Sequence, residues 1–352
     1  MIKPANERMR QVTDLKPVLL SLLITTSAIA QPPQLYATIG QVVRTDPKLN
    51  QLIPANAKIE IIAAGFGHLE GPIWVKDSSY LLVNDTKAQT TYKWSPTAGL
   101  SKFVEHNGYT GRLPYSEEPG SNGMTVDRQG RLIICDHGDR RLATMPLLGK
   151  GGKRTLTDAC QGKRYNSPND VIAHANGNLY FTDPPYGLPM QASDPSRETP
   201  LNGVYQLTPS GTATVIIRDM TYPNGLSFSP DAKTLFVTQS DSTKPLIMAY
   251  PMVADGRVGK GRVFFDASSL PRLRPKELLD GIKVDSQGNC WVAGPGGVLV
   301  ISPAGKLLGR IDTGEVISNL AWGDDGSTLY IASSMFLCRI KTNAKGMIPG
   351  KL

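Results

Sequence analysis

The chain has 352 residues, 19% of them charged, with 35 glycines and 27 prolines. That composition excludes a coiled coil and a disordered chain, and points to a turn-rich globular fold. The net charge of +8 is scattered without a long Lys/Arg run, so a nucleic-acid-binding surface is not expected.

The N-terminus carries Lys3, Arg8, Arg10 and Lys16, then an apolar run from Pro17 to Ala30 with Ala28 and Ala30 before Gln31. This is the pattern of an export signal cleaved after residue 30. The run is too short to span a bilayer well, and no later window is apolar enough, so the mature chain is expected in the periplasm or outside the cell, free of the membrane. Residues 31–57 form an extension to which the sequence assigns no role. Cys135, Cys160, Cys290 and Cys338 contain no C-x-x-C pair, which excludes a thiol-built zinc or redox site. Cys135 and Cys290 lie in apolar strand-like runs and are expected as buried free thiols. Export permits disulfides without requiring them in a domain of this size.

From residue 58 the chain repeats. A short strand recurs six times, ending at Asp85, Asp136, Asp183, Gln239, Gly294 and Ser333. Upstream of each copy lies another strand, beginning at Glu70, Asn122, Asn169, Asn224, Asp280 and Asn319. The separations within the six pairs are 15, 14, 14, 15, 14 and 14 residues. Turn signals such as Arg128-Gln-Gly130 and Gln287-Gly288 fall between them, and a third and a fourth strand follow. This predicts an all-β fold over 58–345: a six-bladed β-propeller with four-stranded blades. The last unit ends after its third strand, Phe336–Ile340, whereas Lys58–Ile62 has the pattern of a fourth strand and no blade of its own. The N-terminal strand is therefore expected to close the ring.

The innermost strand of each propeller blade lines the central channel, so the six strand starts converge on one axis. All six carry side-chain oxygen, two are carboxylates, and none is His or Cys. Such donors suit a hard divalent cation, calcium before magnesium or manganese, with zinc as a further alternative. The competing reading is that Asn-Gly and Asp-Gly merely turn the chain at strand entry. That reading does not account for Glu70 before Gly71-Pro72.

Taken together, Glu70-Gly-Pro-Ile-Trp-Val75, Glu118-Pro-Gly-Ser-Asn-Gly-Met124, Gly162-Lys-Arg-Tyr-Asn-Ser-Pro-Asn-Asp170, Tyr180-Phe-Thr-Asp-Pro-Pro-Tyr-Gly187, Pro223-Asn-Gly-Leu226 and Asp280-Gly-Ile282 resemble the SMP-30/gluconolactonase/luciferin-regenerating family. The likeness is nearest to its exported bacterial gluconolactonases. It implies metal ligation by Glu70, Asn169, Asn224 and Asp280, with Asp280 as general base and Glu70 the alternative. It also implies hydrolysis of a small sugar lactone such as glucono-δ-lactone. Asn122 and Tyr186 are expected on the substrate side, with a plain packing role equally open for Tyr186, and Asn319 in a supporting layer. Gly-x-Ser-x-Gly is absent, which argues against a serine hydrolase. His68, His106, His137 and His174 do not cluster along the chain, and each is expected as a surface or packed residue. A related propeller hydrolase of phosphotriesters or other lactones, and a non-catalytic binding propeller, are the alternative functions.

Overall fold

Each repeat folds as one antiparallel sheet whose buried strands are sandwiched between neighbouring sheets. In the computed structural model, which describes Met1, residues 35–147 and residues 151–350, six sheets form the blades of a propeller. Their inner strands are Leu69–Val75, Ser121–Val126, Val171–Ala173, Pro223–Phe228, Ile282–Val284 and Ile317–Gly323. The second strands, such as Tyr80–Asp85 and Cys290–Gly294, are buried along their whole length, whereas outer strands such as Gly99–Glu105 are largely exposed. The turns between first and second strands are tied by carboxylates. Asp127 Oδ1 accepts from the amides of Gln129 and Arg131, and Asp285 Oδ1 from those of Gln287 and Asn289. Apolar clusters fill the spaces between blades, with Trp74 stacked on Tyr330 at 5.3 Å and Trp291 edge-on to Trp322 at 5.1 Å.

The ring closes as expected. Ile59–Ala64 pairs antiparallel with Phe336–Lys341, placing Ile59 opposite Ile340 and Glu60 opposite Arg339. A 2.7 Å ion pair joins Glu60 to Arg339. The extension before it acquires a role that its sequence did not disclose. Ile39 N donates to Ile59 O and Ile61 N to Ala37 O, so residues 37–39 flank the closing strand. Gln41–Arg44 then pairs with Leu307–Asp312 as a fifth strand on the fifth blade. Arg44 is anchored through the carbonyls of Ile53 and Pro54. The segment thus spans the outer edges of the fifth and sixth blades.

The expected export signal and its cleavage point lie outside the described residues. Among the described residues no helix is long and apolar enough to cross a membrane. All four cysteines are free thiols, with Cys135, Cys290 and Cys338 buried.

Ile340 is fully buried against the closing strand. Ile340→Ala should cost about 2–5 kcal/mol by leaving a cavity at the seam. Urea unfolding checks this, with a lowered midpoint and an unchanged slope as the expected result.

Candidate active site

Four of the six inner strands break register where their axial residue sits: between Glu70 and Ile73, Ser121 and Met124, Pro223 and Leu226, and Ile317 and Asn319. A bulge of this kind re-aims a side chain. The glycine that follows four of the axial residues has a separate purpose. A Cβ on Gly71 would lie 2.1 Å from Asn122 O, on Gly123 2.6 Å from Asn169 O, on Gly225 2.5 Å from Asp280 O, and on Gly281 2.3 Å from the Asn319 side chain. The Asn-Gly and Asp-Gly pairs therefore let each axial residue press against its neighbour's strand, beyond any service as turns. Polar side chains hold the same backbone: Asn84 donates to Asn122 O, Thr182 to Asn224 O and Thr238 to Asp280 O.

The side chains form a continuous network. Asn122 Nδ2 donates to Asn169 Oδ1 (3.2 Å), Asn169 Nδ2 to Asn224 Oδ1 (2.8 Å), and Asn224 Nδ2 to Ser240 Oγ (2.9 Å). Across the ring, Gly71 N and Asn319 Nδ2 both donate to Glu70 Oε2, at 2.8 and 3.0 Å. Asn122 Oδ1 and Asp280 Oδ1 are buried and have no hydrogen-bond partner among the described residues.

The carboxylates are placed at an electrostatic cost. Burial pushes Glu70 up to about 8, with the charges of Asp170 and Glu118 adding to it. Burial also raises Asp280 well above the carboxylate range, and Glu70, Asp170 and Glu118 raise it further. These features fit a hard cation: oxygen donors only, buried oxygens lacking partners, and two acids short of positive charge. The fit depends on amides, because among the described residues no three His, Cys, Asp or Glu side chains gather as a metal cluster. The oxygens of Asn169 and Asn224 each accept one N–H, and an amide oxygen has a second lone pair to offer.

One wall of the site is built from the two longest motifs. Asp183 accepts from the amides of Asn166 and Ser167 at 2.8 Å each, Ser167 Oγ donates to Pro184 O, and Gly187 N donates back to Ser167 Oγ. This locks the segment that carries Tyr186, whose half-buried ring stacks on Tyr222 at 6.1 Å. Burial raises the Tyr186 hydroxyl, so it stays protonated.

The SMP-30/Gluconolactonase/LRE-like profile matches residues 69–335, which takes in all six axial residues. The chain belongs to this family. It is 35% identical to a gluconolactonase of Zymomonas mobilis over 88% of either chain. A pentonolactonase of Haloferax volcanii is 26% identical over 75% of this chain and 81% of its own. The solved structure of a Xanthomonas campestris gluconolactonase covers 89% of this chain and 99% of its own, with a TM-score of 0.75 and 28% identity.

Against the family pattern, Glu70, Asn122, Asn169, Asn224, Asp280 and Asn319 come to one axis, while Asn319 has both ends of its amide committed to protein groups. His137 is packed, one of the two places expected for the histidines, but it packs against axial residues. It is fully buried, with Nε2 3.1 Å from Asn122 Nδ2 and 3.3 Å from Asn169 Oδ1. Burial lowers its pKa, which keeps the ring neutral and able to accept from Asn122. It sits just past the second strand of its blade, where the repeat has no regular axial position to flag it.

A carboxyl held at about 8 in the fold and about 4.3 in the unfolded chain keeps its proton between those values. Its contribution to stability is complete below the lower value and is lost as pH rises through the upper one. Chelator-treated protein should therefore melt at a falling temperature from pH 5 to pH 8.5. Calcium addition near pH 7 should release protons, read as a dependence of calorimetric heat on buffer ionisation enthalpy.

Proposed function

We propose that the chain hydrolyses a sugar δ-lactone, with glucono-δ-lactone the first candidate, using one axial divalent cation. Calcium is the first choice, ahead of magnesium, manganese and zinc. Family membership makes the chain a lactone hydrolase. The observation that carries the metal reading is the pairing of two raised carboxylates with buried, partnerless oxygens on Asn122 and Asp280.

When bound, a dication polarises a carbonyl oxygen and lowers the pKa of water. Glu70, Asn169, Asn224 and Asp280 would hold it. Asp280 would accept the proton of the attacking water; as a coordinated carboxylate it is a weak base, so the cation must also acidify that water. As water adds to the lactone carbon, one proton passes to Asp280. When the ring C–O bond breaks, that proton passes to the departing oxygen, yielding the aldonic acid. Asn122, held through its Nδ2 by His137 and Asn169, offers Oδ1 to a substrate hydroxyl. Tyr186 and Tyr222 offer an aromatic wall to the sugar ring.

The two carboxylates should separate on substitution. Glu70→Gln removes charge alone, whereas Asp280→Asn removes charge and base. Saturating calcium is expected to restore Glu70→Gln more fully, with Asp280→Asn remaining about 10²–10⁴-fold slow. Initial rates on glucono-δ-lactone across a calcium titration, corrected for spontaneous hydrolysis, measure this. Recovery of Asp280→Asn to the parent rate would assign the base elsewhere.

We also propose that the protein is exported, on the basic, apolar and Ala28-Ile-Ala30 sequence alone. N-terminal sequencing from a native host should begin at or near Gln31, and a start at Met1 would contradict export with cleavage.

A further inference from the structure

Lys283 is an unexpected neighbour for a cation site. It lies on the fifth inner strand, three residues after Asp280, and its side chain is only 20% exposed. Its Nζ donates to Asn319 Oδ1 at 3.2 Å and stands 3.9 Å from Asp170 Oδ2. Behind it is a cavity of about 290 Å³, lined by the later halves of the inner strands and by Met347–Gly350. The ammonium thus sits inside the channel, between the axial residues and the opposite mouth.

Coulomb's law makes a lysine here unfavourable for binding a dication, so its benefit must arise another way. Asn319 shows how. Its Oδ1 accepts from Lys283 Nζ and from Leu320 N (2.8 Å), and this directs Nδ2 at Glu70 Oε2 (3.0 Å). A charge-assisted bond outweighs the neutral alternatives open to a primary amide, whose two ends are otherwise nearly the same shape. With the amide reversed, Oδ1 would face the Glu70 carboxylate and repel it.

We propose that Lys283 is a positioning residue for the axial cation site, acting on Glu70 through the amide of Asn319. Asp170 holds the ammonium in place. The inference rests on the cation reading above and adds the means by which one of its carboxylates is oriented.

The two influences of Lys283 on a cation have opposite signs, which makes the test decisive. By charge alone, K283M should bind calcium more tightly than the parent. Through Asn319, it should bind roughly 10-fold or more weakly, the usual cost of losing a partner behind a metal ligand. Calorimetric calcium titration of the parent, K283M, K283R, N319A and the K283M/N319A pair distinguishes them. The expected result is weakened binding in K283M, substantial retention in K283R, and no further weakening when K283M is added to N319A. K283M binding as tightly as the parent, or weakening N319A by the same factor, would overturn the proposal. Should K283M fail to fold, K283Q carries the same comparison, because it too removes the charge. A parent protein that binds no divalent cation would instead overturn the cation reading itself, and this inference with it.

Discussion

The site depends on how closely neighbouring inner strands approach at the axis. Gly71, Gly123, Gly225 and Gly281 each lie where a Cβ would strike the next blade's axial residue. Without that approach the side chains of Asn122, Asn169 and Asn224 could not hydrogen-bond one to the next across three blades. The same contacts tie blade to blade, since Asn84, Thr182 and Thr238 reach across to axial carbonyls. At the seam Ser318 Oγ donates to Leu69 O, so ring closure and site assembly share one set of bonds.

Within this close-packed ring, burying carboxylates is unfavourable unless positive charge accompanies them. Glu70 and Asp280 are both held above the ordinary carboxylate range. Burial raises Asp170 too, and the charge of Lys283 is the largest of the influences that offset this. The channel therefore divides its acids. Asp170 has a lysine from the fold itself, and on the proposed reading Glu70 and Asp280 would take a cation from solution. In that proposal the neutral amides of Asn169 and Asn224 would complete the donor set without adding charge.

Much of the fold was legible because six copies of one offset constrain the architecture more than any single strand does. The closing strand was legible for a related reason: the last unit was one strand short and Lys58–Ile62 had no partner of its own. Gln41–Arg44 was not legible, because a short edge strand on an already complete blade follows no repeat. The axial residues were found by equivalence of position. His137 and Lys283 were missed because neither is equivalent to anything in the other blades. The bulges at the strand starts also hid the reason for the glycines. In sequence an Asn-Gly pair reads as a turn, and only the neighbouring backbone shows that it is a close approach.

The central claim is that four of the six strand starts, Glu70, Asn169, Asn224 and Asp280, form one cation site on the propeller axis. Anomalous diffraction from crystals equilibrated with manganese, a scattering substitute for calcium at oxygen donors, tests it most directly. The account predicts one strong peak on the axis, within bonding distance of Glu70 and Asp280 oxygens. A peak confined to surface carboxylates, with none on the axis, would contradict it.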